Sequence, residues 1–106
     1  MPGSVFVVAW DEDAAIDLAA RLSDAGWVVA LEHRDGRQAW KRIKEGRPDV
    51  VVVDMARRPS HSRELLRTMG QRKYTQSIPV VKVGGDDGVA VDDLVAEVDK
   101  AASDHS

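Results

Sequence analysis

Residues 50–54 read Val50-Val51-Val52-Val53-Asp54, and this stretch decides the fold class. Four consecutive β-branched residues leave no polar face, whereas a half-exposed strand would alternate apolar and polar residues. Such a run is typical of a strand buried on both faces of a parallel sheet. Similar apolar runs predict three more strands, at residues 5–9, 28–31 and 78–83.

Segments with helical spacing separate and follow these strands. Between residues 15 and 25, apolar side chains recur at three- and four-residue steps, and Gly26 is placed to end this first helix. Asp11 or Asp13 is positioned to cap its start. Similar patterns predict three more helices, at residues 35–46, 62–71 and 91–102.

Strands and helices therefore alternate along the whole chain, which predicts one α/β domain over residues 1–106 with a core at about 4–102. Right-handed crossovers place helices on both faces of such a sheet. Ligands bind beyond the carboxyl ends of the strands in this architecture. The residues that follow each strand are thus the ones expected to carry function.

Composition restricts the class of protein further. The chain has 106 residues, no cysteine and a formal net charge of −3, so disulfides and thiolate metal sites are excluded. No apolar run approaches the roughly 18–20 residues that span a bilayer. The apolar N-terminal stretch lacks a basic flank and is interpreted as a buried strand, not a signal peptide. A cytoplasmic protein without a membrane segment is expected.

Several short motifs resemble the receiver domains of response regulators in two-component signalling, the CheY-like family. They are Val7-Val8 before the first helix, Asp35-Gly36-Arg37-Gln38-Ala39-Trp40 at the second, the run ending in Asp54, and Ile78-Pro79-Val80-Val81. The likeness covers roughly residues 4–83. It implies a flavodoxin-like three-layer α/β/α fold with strand order 2-1-3-4. It also implies that Asp54 stands where the family accepts a phosphoryl group from a histidine kinase.

The chain departs from this family at the positions that carry its chemistry. The acidic pair that holds magnesium falls on Ala9 and Trp10, which offer no oxygen ligand for a hard cation. The hydroxyl residue after the fourth strand falls on Gly84. The fifth strand and its switch lysine are expected to be absent. Residues 84–88, Gly-Gly-Asp-Asp-Gly, are interpreted as a turn because they lack the Lys and Ser/Thr of a phosphate loop.

Two substitutes for the lost groups are considered. If the register slips, Asp11 and Glu12 would join Asp54 as magnesium ligands; otherwise they fill the first turn of the helix, where carboxylates favour the dipole. Lys82 either protects an exposed sheet edge or replaces the lost lysine and pairs with Asp54. Trp10 is expected to cover the pocket, with its N–H directed to a partner.

Charge is distributed unevenly along the second half of the chain. Residues 57–73 carry six basic side chains against one acidic, and residues 86–106 carry seven acidic against one basic. These are either solvated helix faces or docking patches for a partner or a second copy. Arg57, Arg58 and Arg63 are the candidate phosphate or partner contacts.

The leading functional hypothesis is an atypical receiver that signals through protein contacts without normal magnesium-dependent phosphorylation. No enzymatic turnover and no cofactor are expected, and magnesium binding is expected to be weak. One alternative is a true phosphoacceptor that a histidine kinase phosphorylates on Asp54. Another is a nucleic-acid-associated module using residues 57–73, which the net negative charge disfavours. A signalling protein is the expected partner, and a homodimer is a further alternative.

Overall fold

The computed structural model describes residues 3–105, so Met1, Pro2 and Ser106 of the predicted domain lie outside the described residues. Strands and helices alternate as predicted. Their bounds are β1 (Ser4–Val8), α1 (Glu12–Asp24), β2 (Val28–Glu32), α2 (Gly36–Gly46), β3 (Val50–Asp54), α3 (Pro59–Gln71), β4 (Val80–Val83), a 3₁₀ helix (Val91–Asp93) and α4 (Leu94–His105).

The sheet has the predicted parallel order, β2-β1-β3-β4. β3 lies inside the sheet and all five of its residues are buried, as its unbroken apolar run requires. Its side chains alternate between two cores. Val50 and Val52 belong to the core that includes residues of α1 and α4, and Val51 and Val53 to the core that includes residues of α2 and α3.

The helix ends follow from local chemistry, with a departure from prediction at the start of α3. Asp11 caps α1 by accepting a hydrogen bond from Ala14 N at 2.9 Å, and Gly26 follows that helix at φ 99°. α3 begins at Pro59, three residues earlier than predicted, since the fixed φ of proline suits the first helical position. α2 ends at Gly46, as predicted, and its C-cap Arg47 lies in the left-handed region at φ 45°.

The described chain has almost nothing of a fifth strand, as expected. Within residues 3–105, a single parallel bridge between Val83 and Val89 occupies its place. β4 is therefore an edge strand, and it is shorter than predicted because Pro79 has no N–H to donate to the ladder. No helix of the described chain is both long enough and apolar enough to cross a membrane.

Candidate functional site

Asp54 lies at the carboxyl end of β3, and its side chain is turned into the protein. The residue is only 4% exposed. Its Oδ1 accepts a hydrogen bond from the backbone N–H of Ala56 at 2.8 Å, while Oδ2 is buried without a hydrogen-bond partner. Arg57 Nη1 lies 3.6 Å from Oδ2, but the Arg57 side chain is 54% exposed. The carboxylate therefore caps the turn that follows β3 and has one loosely held cation beside it.

A glycine loop lies directly over this carboxylate. Gly84 and Gly85 have φ values of 76° and 63°, which favour glycine. A Cβ atom on Gly84 would lie 3.1 Å from the Cβ of Ala56 and 3.4 Å from Oδ1 of Asp54. One on Gly85 would lie 2.7 Å from the carbonyl oxygen of Met55. Gly84, which stands where the resemblance to the receiver family implies a hydroxyl residue, thus packs closely on Ala56 and Asp54.

Trp10 is linked to the end of β3 through its indole N–H, which has a partner as predicted. Its half-buried indole donates from Nε1 to Ser62 Oγ at 2.8 Å. Ser62 is fully buried in the first turn of α3 and donates in turn to the backbone oxygen of Asp54 at 2.7 Å. This relay ties the chain after β1 to both β3 and α3. Sequence reasoning missed Ser62, because a lone serine near a helix start has no distinctive pattern.

Replacing Ser62 by alanine should lower the free energy of unfolding by about 1 kcal/mol, since two hydrogen bonds are lost while water still reaches the half-buried indole. Urea unfolding measures the change. Ser60→Ala is the control for helix propensity, because Ser60 lies in the same turn as Ser62 but is exposed. The NMR signal of the Trp10 indole N–H should shift only in the Ser62 variant; an unshifted signal would contradict the relay.

The proposed alternative metal set is not assembled in the described chain. Asp11 is occupied as the cap of α1, and Glu12 Oε2 lies 3.4 Å from His33 Nε2. Within residues 3–105, no group of three or more His, Cys, Asp or Glu residues is placed to hold a metal ion. In this structure Asp11 is the N-cap of α1 and Glu12 lies in its first turn.

The proposed pairing of Lys82 with Asp54 needs correction. The register of β3 and β4 sets Asp54 opposite Val83 and Lys82 opposite Val53. Neighbouring residues in register share a face of the sheet, so Lys82 and Asp54 lie on opposite faces. The cation beside Asp54 is Arg57. Lys82 is exposed on the edge strand, where lysine discourages strand pairing.

The basic stretch at residues 57–73 is not one continuous patch. Arg67 binds both carboxylate oxygens of Glu64, at 2.6 and 2.7 Å, and Arg57 lies beside Asp54. Arg58 and Arg63 are exposed and form no ion pair within the described chain. No observation on this stretch favours the nucleic-acid hypothesis, because part of its charge is already engaged.

Comparison with known proteins agrees with the fold. No protein-family model and no curated protein matches the sequence. Among solved structures, one described as a putative response regulator from Chloroflexus aurantiacus is 20% identical with a TM-score of 0.81, covering 97% of this chain and 99% of its own. A sensor protein from Polaromonas is 14% identical with a TM-score of 0.84, covering 99% and 98%.

A third similar structure is the signal receiver domain of a signal transduction histidine kinase from Syntrophus aciditrophicus. It is 21% identical with a TM-score of 0.81, and the match covers 96% of this chain and 91% of that one. At these identities the likeness establishes the fold. The chain has the flavodoxin-like fold of response-regulator receiver domains.

Proposed function

We propose that this chain, whose fold is that of response-regulator receiver domains, is a signalling module that acts through protein contacts without magnesium-dependent phosphorylation. The observation that carries the proposal is the enclosure of Asp54. Its carboxylate is 5% exposed and is contained between the turn after β3 and the glycine loop. A phosphoryl group on Oδ2 would need space that the chain itself fills.

The chemistry of phosphoryl transfer also supports a domain that is not phosphorylated in a magnesium-dependent way. The reaction places charge on the transferred oxygens, and receiver-type sites neutralise it with a divalent cation and a fixed lysine. In this chain, the positions for the cation's ligands hold Ala9 and Trp10. Arg57 is too exposed to compensate, because water screens its charge.

A fixed contact surface is the function that remains. Phosphorylation changes the conformation of a protein only if it stabilises one of two conformational states more than the other. Here the hydrogen bonds of the Trp10–Ser62–Asp54 relay and the close packing of the glycine loop favour one arrangement at the end of the sheet. Such a domain would signal by whether it is bound to its partner, which we propose is another signalling protein such as a histidine kinase.

Intact-mass spectrometry after incubation with acetyl phosphate and magnesium tests this proposal. We expect the protein to keep its unmodified mass, because Asp54 is buried and Ala9 and Trp10 stand where the ligands of a divalent cation would be. A receiver domain with a complete acidic pair, treated in parallel, serves as the positive control. A phosphoryl adduct that disappears in Asp54→Asn would instead support the phosphoacceptor hypothesis.

A further inference from the structure

A second surface lies between α2 and α3. The two helices border a cavity of about 860 Å³. Arg37, Lys41 and Lys44 line it from α2, and Arg72 lines it from the end of α3. The three α2 residues recur at four- and three-residue steps, so they lie along one face of the helix.

Positive charge exceeds negative charge in this groove. None of the four cations forms an ion pair with another described residue. Of the two acidic residues that line the groove, Glu64 is paired with Arg67, and Asp35 caps α2 by accepting from the N–H of Arg37 at 2.8 Å. The four cations therefore face one lining carboxylate, Asp35, that has no cationic partner. A protein of net charge −3 thus presents a local cationic groove.

Trp40 also lines the groove and contacts two of its cations. Its half-buried ring donates from Nε1 to Thr75 Oγ1 at 3.4 Å. Lys44 Nζ lies 4.7 Å from the ring centroid, and Arg72 Cζ lies 5.8 Å from it. These cation–π contacts hold two of the cations over an apolar surface, so less side-chain freedom is lost when an anion binds.

We propose that this groove binds an acidic helical segment of a partner protein, an inference that rests on the proposed function as a protein-contact module. Carboxylates three and four residues apart on a helix match the spacing of Arg37, Lys41 and Lys44. The exposed part of the half-buried Trp40 ring offers an apolar surface for one anchoring side chain among those carboxylates. The recognised chemistry is therefore a row of carboxylates around an apolar anchor.

Nucleic acid fits this groove less well. Successive bases bind such surfaces by stacking on several aromatic rings, but Trp40 is the one aromatic residue among those that line the groove. α2 has 11 residues and is therefore only about 16 Å long, so the groove accommodates a short stretch of ligand.

Fluorescence anisotropy with a labelled model helix tests the proposal. The probe is a soluble helical peptide with glutamates along one face around a single leucine. A peptide with glutamine at the same positions is its control. We expect the glutamate peptide alone to bind the wild-type protein, with an affinity that falls as salt is raised. The double variant Arg37→Glu/Lys41→Glu should bind it at least about tenfold more weakly.

The matched control is Lys82→Glu/Lys100→Glu, which changes net charge equally but lies at a different cavity, along the edge of β4. It should retain most of the affinity. Absence of binding to the wild type, or equal losses in both double variants, would overturn the proposal.

Two further measurements separate the alternative occupants. If a single-stranded DNA oligonucleotide binds more tightly than the glutamate peptide, and Arg37→Glu/Lys41→Glu weakens that binding, the occupant of the groove is nucleic acid and not an acidic helix. If the protein self-associates in sedimentation and the same variant abolishes the self-association, the occupant is a second copy of the chain. The mass measurement with acetyl phosphate decides the proposed function separately, because it does not involve the groove.

Discussion

Replacing Trp27 by alanine should lower the free energy of unfolding by about 3–5 kcal/mol. Trp27 precedes β2 and is only 5% exposed within the core that includes residues of α1 and α4. Its Nε1 donates to Asp99 on α4 at 3.2 Å. Truncation to alanine removes a large apolar side chain and the hydrogen bond that links Trp27 to Asp99 on α4. Because domains are stable by only about 5–15 kcal/mol, such a loss is a large fraction of the total.

Urea unfolding followed by circular dichroism measures this loss. The transition midpoint should fall while the slope stays constant, as for a pure change in stability. Trp27→Phe retains most of the buried ring and should cost clearly less than alanine, and Asp99→Asn retains an acceptor and should cost little. A Trp27→Ala variant within about 1 kcal/mol of the wild type would show that the ring is not part of the core.

Gly88→Ala should destabilise the protein by about 3 kcal/mol, at the upper end of the range for overpacking. A Cβ atom there would overlap the backbone of Val83 and Gly84, which cannot rotate away as a side chain could. The loop would have to shift and weaken two backbone bonds, Val89 N to Lys82 O at 2.9 Å and Gly84 N to Val89 O at 2.8 Å. The same shift would uncover Asp54.

Hydrogen exchange reports this opening separately from global stability. The amide of Met55, bonded to Val83 O at 2.8 Å, should exchange faster in Gly88→Ala, since the end of β4 must move. Gly70→Ala is the matched control, because a Cβ atom there meets nothing within 4 Å. It lies inside α3 and should stabilise the protein by up to about 1 kcal/mol. Equal stabilities of the two variants would contradict the close packing of the loop.

The strands were predictable because their signals are local. A run such as Val50–Val53 has no polar face wherever the chain places it, and Asp35 caps a helix through its own neighbours. Boundaries were less predictable. α3 begins at Pro59, and the short 3₁₀ helix precedes α4, because helix starts depend on how the preceding turn is packed.

The site was predictable only in outline. Sequence placed Asp54 at the end of its strand and predicted a bonding partner for the indole N–H of Trp10, since both follow from position after a strand. The alternative that paired the carboxylate with Lys82 is wrong, because Asp54 lies opposite Val83 and adjacent residues of a strand point to opposite faces. Arg57 was considered as a phosphate or partner contact, and not as the ion-pair partner of Asp54 three residues away.

By itself, the sequence determined the parallel α/β class and the aspartate caps of α1 and α2. Each of these follows from residue type and short-range spacing. The tertiary structure alone decided that a glycine loop packs on Asp54, that Ser62 links Trp10 to β3, and that four cations line the groove between α2 and α3. These contacts join residues far apart in the chain, and they depend on strand register and side-chain direction, which local propensity does not encode.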